Sequence, residues 1–212
     1  MKKFFVLGVL FILPITVYLF FSTGVNHFAK LPIVTENIQD ITHFSTESSN
    51  QISLDGKITL LSIPGNDLKS NFAHIFNITH KIYKPYHEFE DLQFVVVVQN
   101  GNEALVEELS EEIEKVANTS KWHFVYGSEE EIHRLFSSMK TNLRLDENAS
   151  VSEVFIVDKN KNLRGRNDDK DLGMVYGYDV SSVAEINNRL KDDIKVILAE
   201  YRLALKKYNT IN

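Results

Sequence analysis

The chain has 212 residues, 43% of them hydrophobic and 25% charged, enough for one domain with a sizeable core and too apolar for extensive disorder. Its 29 acidic against 23 basic residues leave a net charge of −6, which argues against nucleic acid as a partner, because phosphate binding draws on a basic face. It contains no cysteine, so disulfide bonds, thiol redox chemistry and thiolate metal ligation are excluded from the outset.

Residues 4–21 read FFVLGVLFILPITVYLFF, eighteen residues without a charge. As a helix they reach about 27 Å, enough to span a bilayer. A cleaved secretory signal begins in the same way, but this stretch exceeds the usual apolar segment of about 7–15 residues, and STGVNHFAK offers no small-x-small cleavage site. The pattern predicts one uncleaved anchor. Lys2 and Lys3 hold residues 1–3 in the cytoplasm, which places the chain beyond Phe21 on the extracytoplasmic, periplasmic side of the cytoplasmic membrane and makes the bilayer the first expected partner. Residues 22–40, with Gly24, Pro32 and no sustained period, read as a tether, and residues 41–212 as the domain.

Within the domain, residues 42–57 are polar and turn-rich, with room for one or two short strands. ITLLSI (58–63) reads as an inner strand ended by Pro64-Gly65. Asn66 or Asp67 is placed to cap a helix whose apolar positions Leu68, Phe72, Ile75, Phe76, Ile82 and Tyr83 keep three- and four-residue spacing until Pro85 ends it. FVVVV (94–98) is apolar on both faces, as a central parallel strand should be. A second amphipathic helix carries Leu105, Leu109, Ile113 and Val116 on one face; its glutamates read as a solvated face rather than a metal site. A short strand at 122–126 precedes a capping box, Ser128 to Glu131, ahead of Ile132, Leu135, Phe136 and Met139. EVFIVD (153–158) and NLRG (162–165) form an antiparallel hairpin. Ser182 and Glu185 cap a final helix whose apolar stripe runs from Val183 to Leu205. The expected fold class is α/β, a thioredoxin-like mixed sheet with helices on both faces, behind one transmembrane helix.

Few side chains suggest chemistry. His74, His80 and His87 are scattered, with Pro85 separating the last two, and read as ordinary surface or half-buried histidines. No Gly-x-Ser-x-Gly and no Gly-rich phosphate loop is present. Arg164, Arg166, Asp168, Asp169 and Asp171 form the densest charged cluster. A solvated loop is the simpler reading of it, and a partner-docking surface the functional one.

Several phrases, taken in order over roughly residues 40–205, resemble the Sco/SenC family: Asp55-Gly56-Lys57, WHFVYG at 122–127, FIVDK at 155–159, LRGR at 163–166, and Lys191-Asp192-Asp193-Ile194 leading to Glu200-Tyr201. The resemblance implies a thioredoxin fold and a role around copper-site and cytochrome c oxidase assembly. It also implies a Cys-x-x-x-Cys pair, expected by spacing near Leu68 and Phe72, and a histidine near Ser150; none is present. No catalytic, cofactor or metal residue therefore carries over. The expectation is a non-enzymatic, cofactor-free interaction or assembly factor with a protein partner in respiratory-complex assembly. The alternative is a module that binds a small ligand or peptide in the vacated groove under residues 63–68.

Overall fold

The computed structural model describes residues 2–23, 30–47 and 51–211. α1 (Lys2–Thr23) is long and apolar enough to cross a membrane, with mean hydropathy 2.2 over Lys2–Phe20 and none of that stretch buried in the protein.

The sheet grows from the two most apolar runs. In β2 (Ile58–Gly65) and β3 (Leu92–Gln99) nearly every side chain is buried, because successive residues enter opposite cores. Leu60, Phe94, Val96 and Val98 face one core, Leu61, Ile63, Val95 and Val97 the other. β2, β3 and β4 (Trp122–Gly127) run parallel. β5 (Glu153–Val157) lies antiparallel to β2, and β6 (Leu163–Arg164) returns along β5. The strand order is β1-β6-β5-β2-β3-β4, where β1 is Ile33–Thr35, and β9 (Tyr178–Asp179) also pairs with β5. A separate two-stranded sheet is made by β7 (Arg166–Asp169) and β8 (Gly173–Val175).

The first core is closed by α2 (Phe72–Ile78), α4 (Glu103–Glu114) and α7 (Lys191–Ile211), through Ile75, Leu109, Ile113, Ile194 and Ile197 among others. The second is closed by α5 (Glu129–Ser138) and by Ile38, Ile41 and Phe44. Helices thus lie on both faces. The Ser128 capping box forms in full, each partner satisfying the other's backbone N–H.

Three expectations need correction. The domain starts before residue 41: Leu31 and Ile38 are buried and β1 pairs with β6, so the segment read as tether belongs to the fold from Leu31 onward. Among the described residues of 42–57 no strand forms, only a single bridge between Ser45 and Tyr126. Pro85 does not end the first long helix. α2 passes into a π-helical turn, Thr79–Tyr83, and then into α3 (Lys84–Tyr86). Lys84 donates five residues back to the Thr79 carbonyl, so Pro85 falls in the first turn of a new α segment, where a missing N–H costs nothing. A similar π-helical turn, Ile186–Leu190, joins α6 (Val183–Glu185) to α7.

Candidate functional site

The positions at which the resemblance expects two thiols and an imidazole lie around the turn between β2 and α2. Gly65 makes this corner possible. It sits at φ +53°, and a Cβ there would come within 2.3 Å of the Asn148 carbonyl oxygen. That carbonyl accepts from the Asn66 N–H at 2.8 Å, and the Val151 N–H donates to the Ile63 carbonyl at 3.0 Å, so residues 146–151 are stapled to the strand end. Asp146 shapes the loop from within: its Oδ1 accepts from the Asn148 and Ser150 N–H groups, both at 2.9 Å.

A cleft of about 410 Å³ opens between this loop and the helix, lined by Asp67, Ser70, Asn71, His74, Arg144 and Ser150 among others. Leu68 is not part of it; it is wholly buried in the first core, and Phe72 packs partly against the same core. The centre of the cleft is Asn71, itself buried. Its Nδ2 donates to the Asp67 carbonyl at 2.8 Å and reaches the Ser150 Oγ at 3.5 Å. Its Oδ1 lies 3.0 Å from His74 Nδ1. A carbonyl oxygen only accepts, so the neutral imidazole carries its proton on Nδ1 and presents Nε2 as acceptor.

The cleft therefore offers oxygen donors and one borderline imidazole nitrogen, without the sulfur that selects Cu(I). The thioethers among the described residues do not supplement it: Met139 is buried in the second core and Met174 stands exposed on β8. Among the described residues no group of three or more His, Asp or Glu is placed to hold a metal ion. His80 is exposed on the π-helical turn, and His87 turns its Nδ1 back to the Lys84 carbonyl at 2.9 Å.

The charged cluster divides sharply. Arg164 faces inward: its side chain is 5% exposed, with Nη1 2.9 Å from Asp158, Nη2 2.7 Å from Glu200, and Nε 2.8 Å from the Leu31 carbonyl oxygen. It belongs to the interior, where it ties the start of the domain to the β5–β6 hairpin and α7, and it is too buried to serve as a docking residue. Arg166 grips Asp193 with two bonds, Nε at 2.8 Å and Nη2 at 3.0 Å, and holds Asp169 with Nη1 at 3.0 Å. Arg189, which the sequence did not single out, completes the network with Asp169, Asp171 and Glu185. Asp168 and Asp171 face solvent.

Titration of this network is set by its partners. Arg189, the adjacent backbone N–H groups and Arg166 hold the Asp169 carboxyl below its ordinary value of 3.8. Burial, then the Asp193 carboxylate, pushes the Tyr178 phenol well above its ordinary 10.0; Tyr178 donates to Asp193 at 2.6 Å. The depressed carboxyl stabilises the fold above pH 3.8 and loses that contribution as pH falls through the folded value. The raised phenol contributes fully below pH 10 and is lost as pH rises through its folded value. The protection of the β7 and β8 amides, as the ratio of intrinsic to observed exchange rate at each pH, is expected to stay flat between these limits and to fall outside them. A loss of protection centred near neutral pH would contradict the assignment.

Mixed strands with helices on both faces, and a cleft where the first parallel strand meets the first long helix, define a thioredoxin-like domain. Solved structures that share this fold include members of the Sco/SenC family. The chain is similar to a SCO1/SenC family lipoprotein from Bacillus anthracis str. Ames, with 19% identity over 84% of this chain and 99% of that one and a TM-score of 0.50. It is also similar to BsSco, a member of the Sco family of cytochrome c oxidase assembly proteins, with 16% identity over 78% and 92% and a TM-score of 0.51. At these identities the likeness is one of fold. No protein-family profile matches the chain, and no curated protein does.

Proposed function

We propose that this chain is a membrane-anchored, Sco-like domain that acts by binding, as a non-catalytic interaction or assembly factor for respiratory cytochrome oxidase or its copper sites. The observation that carries the reading is the cleft itself. It opens beside the β2–α2 corner and is furnished with Asn71, His74 and Ser150, which supply neither a redox couple nor a soft metal ligand. The oxidase link comes from the fold neighbour's role as an assembly protein. α1 supplies the anchor, and Lys2 and Lys3 favour a periplasmic domain. Asp168 and Asp171, the exposed members of the charged cluster, and Asp169 and Arg166 behind them, are the proposed docking residues at a second surface.

The test is photo-cross-linking in native membranes, with a benzophenone amino acid replacing exposed Ser70 at the cleft and, separately, Asp168. The reading expects a discrete adduct to an oxidase subunit or assembly protein from at least one position. Adducts confined to small peptides at position 70 would favour the ligand-binding alternative. Absence of any adduct at both positions would contradict both.

A further inference from the structure

Outside α1, the large apolar side chains that stand exposed among the described residues are Ile33, Leu172, Met174 and Val183. Two of them crown the β7–β8 hairpin. Leu172, in the turn, is 58% exposed and Met174, on β8, 42%, and both border one groove, while Val175 is buried. The charges around them are mostly cancelled: Asp171 lies 2.8 Å from Arg189, and Asp169 is held by both Arg166 and Arg189. Lys170 and Asp168 are exposed without an ion pair among the described residues.

The hairpin also stands where the chain enters the domain. Asp168 to Asp171 line a cleft of about 700 Å³ together with Lys30, Leu31 and Pro32. Only six residues, 24–29, separate Thr23 at the end of α1 from Lys30. Seven Cα steps at about 3.6 Å reach at most about 25 Å, whatever their conformation. A chain that leaves the bilayer at α1 therefore keeps this corner close to the membrane surface, at a high effective concentration against it. Exposed Ile33 lies three residues beyond Lys30, on the same approach.

We infer that the tip of the β7–β8 hairpin, through Leu172 and Met174, docks on the lipid bilayer in which α1 is anchored. Apolar side chains enter the headgroup boundary while Lys30 and Lys170 meet lipid phosphates, the division of labour of an interfacial segment. Asp168 opposes this on anionic lipid, so docking rests on the apolar side chains first. The inference rests on the anchor proposed for α1 and adds an orientation. Leu143 and Glu153 border both the groove beneath Leu172 and Met174 and the Asn71–His74 cleft. Docking holds that cleft beside the membrane, within reach of an integral membrane protein.

The absence of cysteine makes the test clean. Nitroxide labels are placed singly by Leu172→Cys, Met174→Cys, Val9→Cys in α1 and Glu111→Cys on exposed α4, in the full chain reconstituted into phosphatidylcholine vesicles with and without phosphatidylglycerol. Docking predicts an oxygen-over-nickel accessibility ratio at 172 and 174 several-fold above that at 111, in both lipids. A ratio at both positions equal to that at 111, with position 9 in hydrocarbon, overturns the docking and leaves the anchor standing. An aqueous position 9 overturns both. Protection at 172 that appears only at high protein-to-lipid ratio overturns it in favour of a second copy on this surface.

Discussion

Val96→Asp is expected to leave the domain unfolded at room temperature. Val96 is fully buried in β3, opposite Ser62 on β2 and Phe124 on β4, and its side chain enters the core closed by α2, α4 and α7. The site holds no cation to pair with the carboxylate. Burying that charge costs several kcal/mol, on the order of the whole stability of a domain, which is about 5–15 kcal/mol. Val96→Thr changes shape little and introduces a hydroxyl that must find an acceptor, so a smaller loss of about 1–3 kcal/mol is expected. Circular dichroism melts of the detergent-solubilised chain report both. An unchanged melting temperature for the aspartate variant would show that β3 is not interior.

Arg164→Met is expected to cost about 3–5 kcal/mol, because it leaves Asp158 and Glu200 without their shared cation. Asp158 is the more exacting partner: it is 1% exposed and already accepts from the Asn160 and Asn162 N–H groups at 2.9 Å, so it cannot turn to water without opening the β5–β6 turn. Lysine at 164 should rescue poorly, since one ammonium cannot reproduce a fork that meets Asp158, Glu200 and the Leu31 carbonyl together. Arg164→Met combined with Asp158→Asn and Glu200→Gln should regain a large part of the loss, because the orphaned charges are then gone. Urea denaturation of the three variants distinguishes the cause. Equal stability of the single and triple variants would mean that lost packing, not unpaired charge, is responsible.

The sheet was legible wherever burial on both faces left a continuous apolar run, as at residues 58–63 and 94–98, and wherever a side chain satisfied the backbone locally, as Ser128 does. β1 was missed because three residues beside Pro32 carry no period, and their pairing with β6 is a tertiary event. β7 was missed because Arg166-Asn167-Asp168-Asp169 has no apolar alternation; ion pairs to Arg189 and Asp193 fix it instead. Pro85 misled because the π-helical turn that admits it has no local sequence signal. At the cleft, Asp67, His74 and Ser150 were in view from the sequence, but Asn71 was not. With the helix read from Asn66 or Asp67, position 71 looked like an internal polar residue, whereas α2 begins at Phe72 and Asn71 closes the turn before it. Leu68 was assigned to the vacated site by spacing, and that turn carries it into the core instead.

The most direct test of the proposed non-catalytic, Sco-like reading is competition for Cu(I) between the purified chain and a strong chelator, run beside an assay of disulfide-substrate reduction. Asn71, His74 and Ser150 give the cleft a single imidazole and no sulfur, while Met139 and Met174 lie in the second core and on the exposed hairpin. The account predicts that the chain releases all copper at sub-picomolar free Cu(I), a threshold chosen on the order of what soft, preorganised ligands hold, and that it reduces no disulfide. Stoichiometric copper retained at that free concentration, and lost on His74→Ala, would contradict it.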